Sequence, residues 1–323
     1  MELSEKATGS TARGSDELLT VELPQGRLEY RDQGEGPAIV FCHGLLVASD
    51  IWDEVVPPLL DAGYRCVRPE LPMGSHRIPM NEDADLSPPG LASVIGEFLA
   101  ALDLEDATMV GNDSGGAVLQ MLAARAAKSP VGAGQSAVSG AESGRGAEAR
   151  ATGGAERIGR VVLTNCDIGK VFPPFPYNFL PPLARVPGGL ALLTASMRLR
   201  PVRWLAYSPI AGTRIPDARL RQWLEPGLTN PRIRADTGKL VAGVRKSQSI
   251  EAAERLRDFT RPVLFAWGAS DVLFRPSLAA GLADTLPDAR VELIPRAKTY
   301  VMLERPDRLA QLIAEFAAER PND

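Results

Sequence analysis

The stretch Val110-Gly111-Asn112-Asp113-Ser114-Gly115-Gly116 constrains this chain more than any other. It joins an apolar run, Ala107 to Val110, to a segment with helical character, Ser114 to Ala127. A strand that turns straight into a helix leaves no room for side chains two positions before and two or three positions after the turning residue. Gly111, Gly115 and Gly116 meet that requirement when Asp113 is the centre, whereas centring on Ser114 puts Asn112 where a small residue is needed. The Asp113 side chain then stands at the head of a strand, where ligands bind in open α/β sheets. The same glycines also suit a plain strand-helix turn in which Asp113 only caps the helix.

The rest of the chain supplies the sheet that such a turn needs. Leu18 to Leu23 and Arg27 to Asp32 alternate in polarity around Pro24-Gln25-Gly26, a hairpin signal. Ala38-Ile39-Val40-Phe41-Cys42 is continuously apolar, as expected of a strand buried on both faces. Arg65 to Arg68, Leu86 to Leu102, Ala107 to Val110, Ser114 to Ala127 and Arg160 to Thr164 then alternate strand and helix, which predicts a parallel sheet covered on both sides. The rhythm resumes with Val263 to Trp267, Pro276 to Leu286, Arg290 to Ile294 and a last helix from Pro306 to Glu319.

Three segments break this pattern. Residues 1–16 are polar and read as a flexible tail. Residues 129–154 are almost wholly Gly, Ala, Ser and charged, which predicts a disordered surface insertion between a helix and a strand. Residues 169–255 are rich in proline at first, then carry helical stretches at Leu190 to Arg200, Asp217 to Leu224 and Ile233 to Lys246, which predicts a helical cap. The core is then expected over 17–168 and 256–323.

Composition limits the partners. The 323 residues carry 40 acidic against 36 basic side chains, spread along the chain, so no extended basic footprint marks a nucleic-acid binder. Cys42, Cys66 and Cys166 are an odd number for a disulfide framework and lie in or beside apolar runs, which fits buried free thiols in a reducing compartment. No secretory signal or membrane-spanning stretch is evident, so a cytoplasmic location is expected. Nothing in the sequence implies a metal or cofactor, and oligomeric state is left open.

Several motifs in the right order resemble the α/β-hydrolase superfamily, and within it the branch with an aspartate nucleophile that includes haloalkane dehalogenases and epoxide hydrolases. The resemblance covers about residues 18–128 and 157–319. His43-Gly44-Leu45-Leu46 is similar to the H-G-x-x turn, Trp267-Gly268-Ala269-Ser270-Asp271 to the W-G-x-x-D acid turn, and Ile294 to Asp307 to the final strand-to-helix segment. The resemblance implies the α/β-hydrolase fold, a mostly parallel central sheet flanked by helices, with a helical cap. It implies Asp113 as nucleophile and the backbone N–H groups of Leu45 and Ser114 as the oxyanion hole, with His43 belonging to the turn itself. Asp271 takes the acid position, and Asp167 lies at an alternative one.

The resemblance breaks at one place. The family reads I-P-G-A-G-H-F where this chain reads Ile294-Pro295-Arg296-Ala297-Lys298-Thr299-Tyr300, so Thr299 fills the histidine position without a gap. A threonine hydroxyl cannot take a proton from water near neutral pH, and an ester formed on Asp113 needs an activated water to turn over. Asp113 and Asp271 are expected either to share a proton and act as acid and base, or to stand apart with Asp271 capping its own turn. His76 and Asp167 are accessory candidates on the ligand side of the sheet. Ser114 and Leu45 stand where dehalogenases carry halide-binding tryptophan or asparagine side chains, so dehalogenation is not expected, and Tyr177 and Tyr207 are candidates for the cap tyrosines with which epoxide hydrolases protonate the opening oxygen. The function expected is hydrolysis, or a lyase- or cyclase-like relative of it, on a small, largely apolar molecule of the ester or epoxide class. The alternative is a hydrolase-fold protein without turnover that binds a small ligand or serves as a scaffold.

Overall fold

The computed structural model describes residues 17–127 and 153–319. The expected tail at 1–16, and the expected insertion over most of its length, lie outside those residues. Eight strands form one sheet in the order β1-β2-β4-β3-β5-β6-β7-β8. They are β1 Leu19–Leu23, β2 Gly26–Gln33, β3 Ala38–Cys42, β4 Arg65–Pro69, β5 Ala107–Asn112, β6 Ile158–Cys166, β7 Val263–Gly268 and β8 Ala289–Ile294. The β1-β2 hairpin and the β2-β4 pair are antiparallel, and every pair from β4 to β8 is parallel. This is the α/β-hydrolase fold expected from the sequence.

The continuous apolar runs have a simple cause. Successive side chains of a strand point to opposite faces, so a strand covered on both sides is apolar at every position. In β3, Val40 and Cys42 enter one core and Ile39 and Phe41 the other. The first core is closed by α2 (Pro88–Ala101) and α3 (Asp113–Ala126), through Leu91, Phe98, Val118 and Leu122. The second is closed by α1 (Val56–Asp61) and a C-terminal helix, Pro306–Ala318, through Leu59, Leu309 and Ile313. Helix α2 begins where Ser87 accepts a hydrogen bond from the Gly90 N–H and Pro88 and Pro89 occupy its first positions, where no donor is missed.

Between β6 and β7 lie α4 (Leu180–Ala184), α5 (Gly189–Ser196), α6 (Arg200–Tyr207), α7 (Asp217–Thr229), α8 (Pro231–Gly243) and α9 (Lys246–Arg255). The helix expected over Leu190 to Arg200 ends at Ser196, and a second one starts at Arg200 with Pro201 in its first turn, where no donor is missed. Helix α9, expected in the cap, packs on α3 and adds Ala252 to the first core. Two hydrogen bonds tie these helices to the segment after β3: Trp223 Nε1 donates to Asp50 at 2.6 Å, and Tyr207 Oη to the Leu46 carbonyl at 2.6 Å.

The expected insertion, 129–154, runs two residues too far. Gly154 adopts φ 85°, and a Cβ there would sit 2.4 Å from the Gly96 carbonyl oxygen. The turn at Gly153-Gly154 is therefore packed on α2, and residues 129–152 of the expected insertion lie outside the described residues.

Candidate active site

Asp113 joins β5 to α3 with φ 51°, a left-handed conformation that costs a non-glycine residue about 1–3 kcal/mol. The surrounding glycines make room for it. A Cβ on Gly111 would lie 2.8 Å from the Gly116 Cα, one on Gly115 2.2 Å from the His43 carbonyl oxygen, and one on Gly116 2.5 Å from the Cys166 Cβ. Gly44 passes so close that its Cβ would stand 2.4 Å from the Asp113 Oδ2. This approach lets two backbone donors reach the carboxylate, which accepts from the N–H groups of Ser114 and Leu45. Burial nevertheless dominates over those donors and, with repulsion from Asp271, pushes the Asp113 carboxyl up to about 7.

His43 is held inside the turn. The Leu71 N–H donates to its Nε2 at 2.9 Å, which leaves Nδ1 to donate to the Gly44 carbonyl at 2.9 Å. Burial lowers its pKa, so the ring is neutral and both nitrogens are used.

Thr299 is fully buried, and its Oγ1 donates to Asp271 Oδ2 at 2.7 Å. The same oxygen accepts from Asn165 Nδ2 at 2.8 Å, while Asp271 Oδ1 accepts from the N–H groups of Leu273 and Phe274 at 2.8 and 3.0 Å. Asn112, which precedes the elbow residue, donates at 2.9 Å to the Thr299 carbonyl and also to Thr164. Asn112 and Asn165 were not singled out in the sequence. Their signal is two amides at the ends of otherwise apolar strands. Asp271 caps the turn after β7, accepts from four donors and does not line the cavity above Asp113, while its charge adds to the rise of the Asp113 carboxyl.

That cavity is about 450 Å³ and mostly apolar, walled by cap residues such as Leu193, Met197 and Leu205. Its polar edge is made by Asp113, Ser114, Asp167 and three tyrosines. Asp167, one residue beyond β6, is 1% exposed, and its Oδ1 has no hydrogen-bond partner among the described residues. Burial first, and then the Asp113 charge, push its carboxyl well above the usual range. Tyr177 and Tyr207 both line the cavity, but their hydroxyls donate to the carbonyls of Ala206 and Leu46. Tyr300, next to Thr299 and absent from the sequence expectations, lines it as well.

His76 lies elsewhere. Its Nε2 is 3.3 Å from Asp236 Oδ2 on α8, its Nδ1 accepts from the Gly74 N–H, and it does not line the cavity. It joins the loop after β4 to α8. Among the described residues no cluster of His, Cys, Asp and Glu side chains is arranged to hold a metal ion, and no helix is long and apolar enough to cross a membrane.

A sequence profile of the alpha/beta hydrolase family matches residues 39–312. The chain belongs to the α/β hydrolase family. This hydrolase is 28% identical over 301 residues to haloalkane dehalogenase 2 of Mycobacterium tuberculosis, covering 90% of its own length and 91% of the relative's. Its fold is similar to that of the haloalkane dehalogenase DbeA of Bradyrhizobium elkani, with TM-score 0.70, 18% identity and coverage of 94% and 97% of the two chains. It is also similar to that of the epoxide hydrolase CorEH, with TM-score 0.71, 15% identity and coverage of 94% and 98%.

Proposed function

We propose that this hydrolase attacks a small, largely apolar substrate of the epoxide or ester class with the Asp113 carboxylate, an epoxide passing through a covalent ester on Asp113 and an ester through a mixed anhydride. One observation carries the reading: Asp113 stands on a strained turn at the floor of an apolar cavity, its carboxylate aimed there by the Leu45 and Ser114 N–H groups. In the attacking state those donors orient the nucleophile. When water later adds to the ester, the same two N–H groups face the oxyanion that forms at the Asp113 carboxyl carbon. An apolar wall suits an uncharged substrate and keeps bulk water from a carboxylate that is more reactive when dry.

Release of that ester does not use an imidazole at position 299, where a threonine stands. Its hydroxyl is committed to Asp271, and a hydroxyl is no base near neutral pH.

The reading is tested by a single turnover with styrene oxide in ¹⁸O-labelled water, followed by mass analysis of the peptide containing Asp113. Solvent oxygen in the Asp113 carboxylate is expected, because water attacks the ester carbonyl. A diol product without label in Asp113 would mean direct attack of water on the epoxide. No product and no adduct across epoxides and esters, with tight binding of the same molecules, would mean a ligand-binding protein.

A further inference from the structure

If Asp113 forms an ester, two proton transfers remain without an owner: one to the opening oxygen, and one from the water that releases the ester. We infer that Asp167 performs both, as acid in the first step and base in the second. This rests on the Asp113 reading given above.

The geometry favours Asp167 over every neighbour. Asp113 pairs with Cys166 in a parallel bridge, so Asp167 is one residue past the position level with the nucleophile, and both line the same cavity. Its main chain is anchored, with Gln120 Nε2 donating to the Asp167 carbonyl at 2.8 Å. Its carboxyl Oδ1 is buried without a partner among the described residues, an arrangement that costs free energy unless something else uses the atom. Asp271 is saturated by four donors. Tyr177 and Tyr207 donate their hydroxyl hydrogen bonds to the backbone carbonyls of Ala206 and Leu46. Tyr300 is a phenol raised well above its ordinary range by burial, so it can donate but cannot take a proton from water. The Cys166 thiol is raised in the same way and stays neutral.

The steps balance with a single proton held between the two carboxyls. At rest it sits on Asp167, because burial and the charge of Asp113 disfavour a second anion there. An Asp113 oxygen attacks an epoxide carbon, the C–O bond breaks with its electron pair going to oxygen, and that oxygen takes the Asp167 proton. Asp113 is now a neutral ester, so the repulsion that kept Asp167 protonated is gone at the moment Asp167 becomes a carboxylate. It then takes a proton from water as the water oxygen bonds to the ester carbonyl carbon. Collapse expels the diol oxygen, which receives that proton back. The acid left on Asp113 returns its proton to Asp167.

The test compares wild type, Asp167→Asn and Asp113→Asn on two probes. Styrene oxide needs an acid to open, whereas 1-bromobutane loses bromide without one. Asp167→Asn is expected to slow styrene oxide opening by about 10²-fold or more, yet still to form the butyl ester on Asp113 and hold it, as seen by intact mass. Formate added to Asp167→Ala should speed release of that ester, which keeps the test usable if the Asn variant folds poorly. Asp167→Asn with both steps within twofold of wild type, while Asp113→Asn is inactive, would overturn the role of Asp167 and leave the nucleophile standing. Activity retained in Asp113→Asn would overturn the nucleophile, and Asp167's role with it.

Discussion

The hydroxyl of Thr299 donates a 2.7 Å hydrogen bond to Asp271, completing a set of four donors around a buried carboxylate. One of the four donors to this acid is thus a hydroxyl that does not titrate. Thr299→Val keeps the shape and removes the donor. It should destabilise the fold by about 1–3 kcal/mol, the cost of leaving a buried acceptor short. Burial already raises the Asp271 carboxyl, and the Thr299 bond opposes that shift. The loss should therefore be largest at alkaline pH, where Asp271 must stay ionised, and should shrink as acid protonates it. Chemical denaturation of both proteins at pH 5 and pH 8 measures this, and a pH-independent difference would speak against it.

A base placed at position 299 should substitute for the one inferred at Asp167. Thr299→His in the Asp167→Asn background is expected to shorten the life of the butyl ester by about 10²- to 10⁴-fold, the usual worth of general-base help. Thr299 is fully buried, so the larger ring overpacks the site at a cost of roughly 1–3 kcal/mol. Folding of the double variant is checked by circular dichroism before the adduct is timed. An unchanged lifetime in a folded protein would mean that position 299 does not reach the ester.

Asp113→Asn should stabilise the protein at pH 8. The folded carboxyl is raised to about 7, against about 3.9 for a free aspartate, so between those values the folded state binds more protons than the unfolded one. Wild-type stability contributed by this group therefore falls as pH rises from about 4 to about 7, and Asn removes that loss. A gain on the order of 1 kcal/mol raises Tm by about 2–4 °C in a protein of this size class. The gain should vanish near pH 4. A variant less stable than wild type at pH 8 would show that the Asp113 charge is not the burden described.

Ester formation should follow the same ionisation. With 1-bromobutane, which needs no acid, the rate is expected to rise about tenfold per pH unit below about 7 and to level off above it, because only the carboxylate attacks. With styrene oxide the rate should fall again at higher pH as the acid partner loses its proton, giving a bell. Two identical profiles would remove the need for a protonated acid.

Removing residues 129–152 should leave Tm within a few degrees, since shortening a long connection lowers its closure entropy. Extending the deletion through Gly154 should cost more, because that residue packs its backbone on Gly96. Equal melting temperatures for the two deletions would show that the packed turn contributes nothing.

The sequence alone determined the features that depend on local sterics and periodicity. Two-sided burial makes β3 apolar at every position, and an elbow centred on Asp113 requires glycine at 111, 115 and 116, so both could be read residue by residue. The segment between β6 and β7 was legible only as helical, since the end of α5 at Ser196 and the docking of α9 on the core depend on what each helix meets. Tertiary structure decided the polar roles. Asp167 and Asp271 are both carboxyls just past strand ends, and nothing within either segment tells which one faces the cavity. The difference is made by donors from far along the chain: Asn165 and Thr299 converge on Asp271, and none reaches Asp167 Oδ1 among the described residues. His76 was drawn to α8 in the same way, by an Asp236 lying 160 positions away. A side chain's direction follows from its own backbone, but whether it is satisfied depends on partners that only the folded chain brings near.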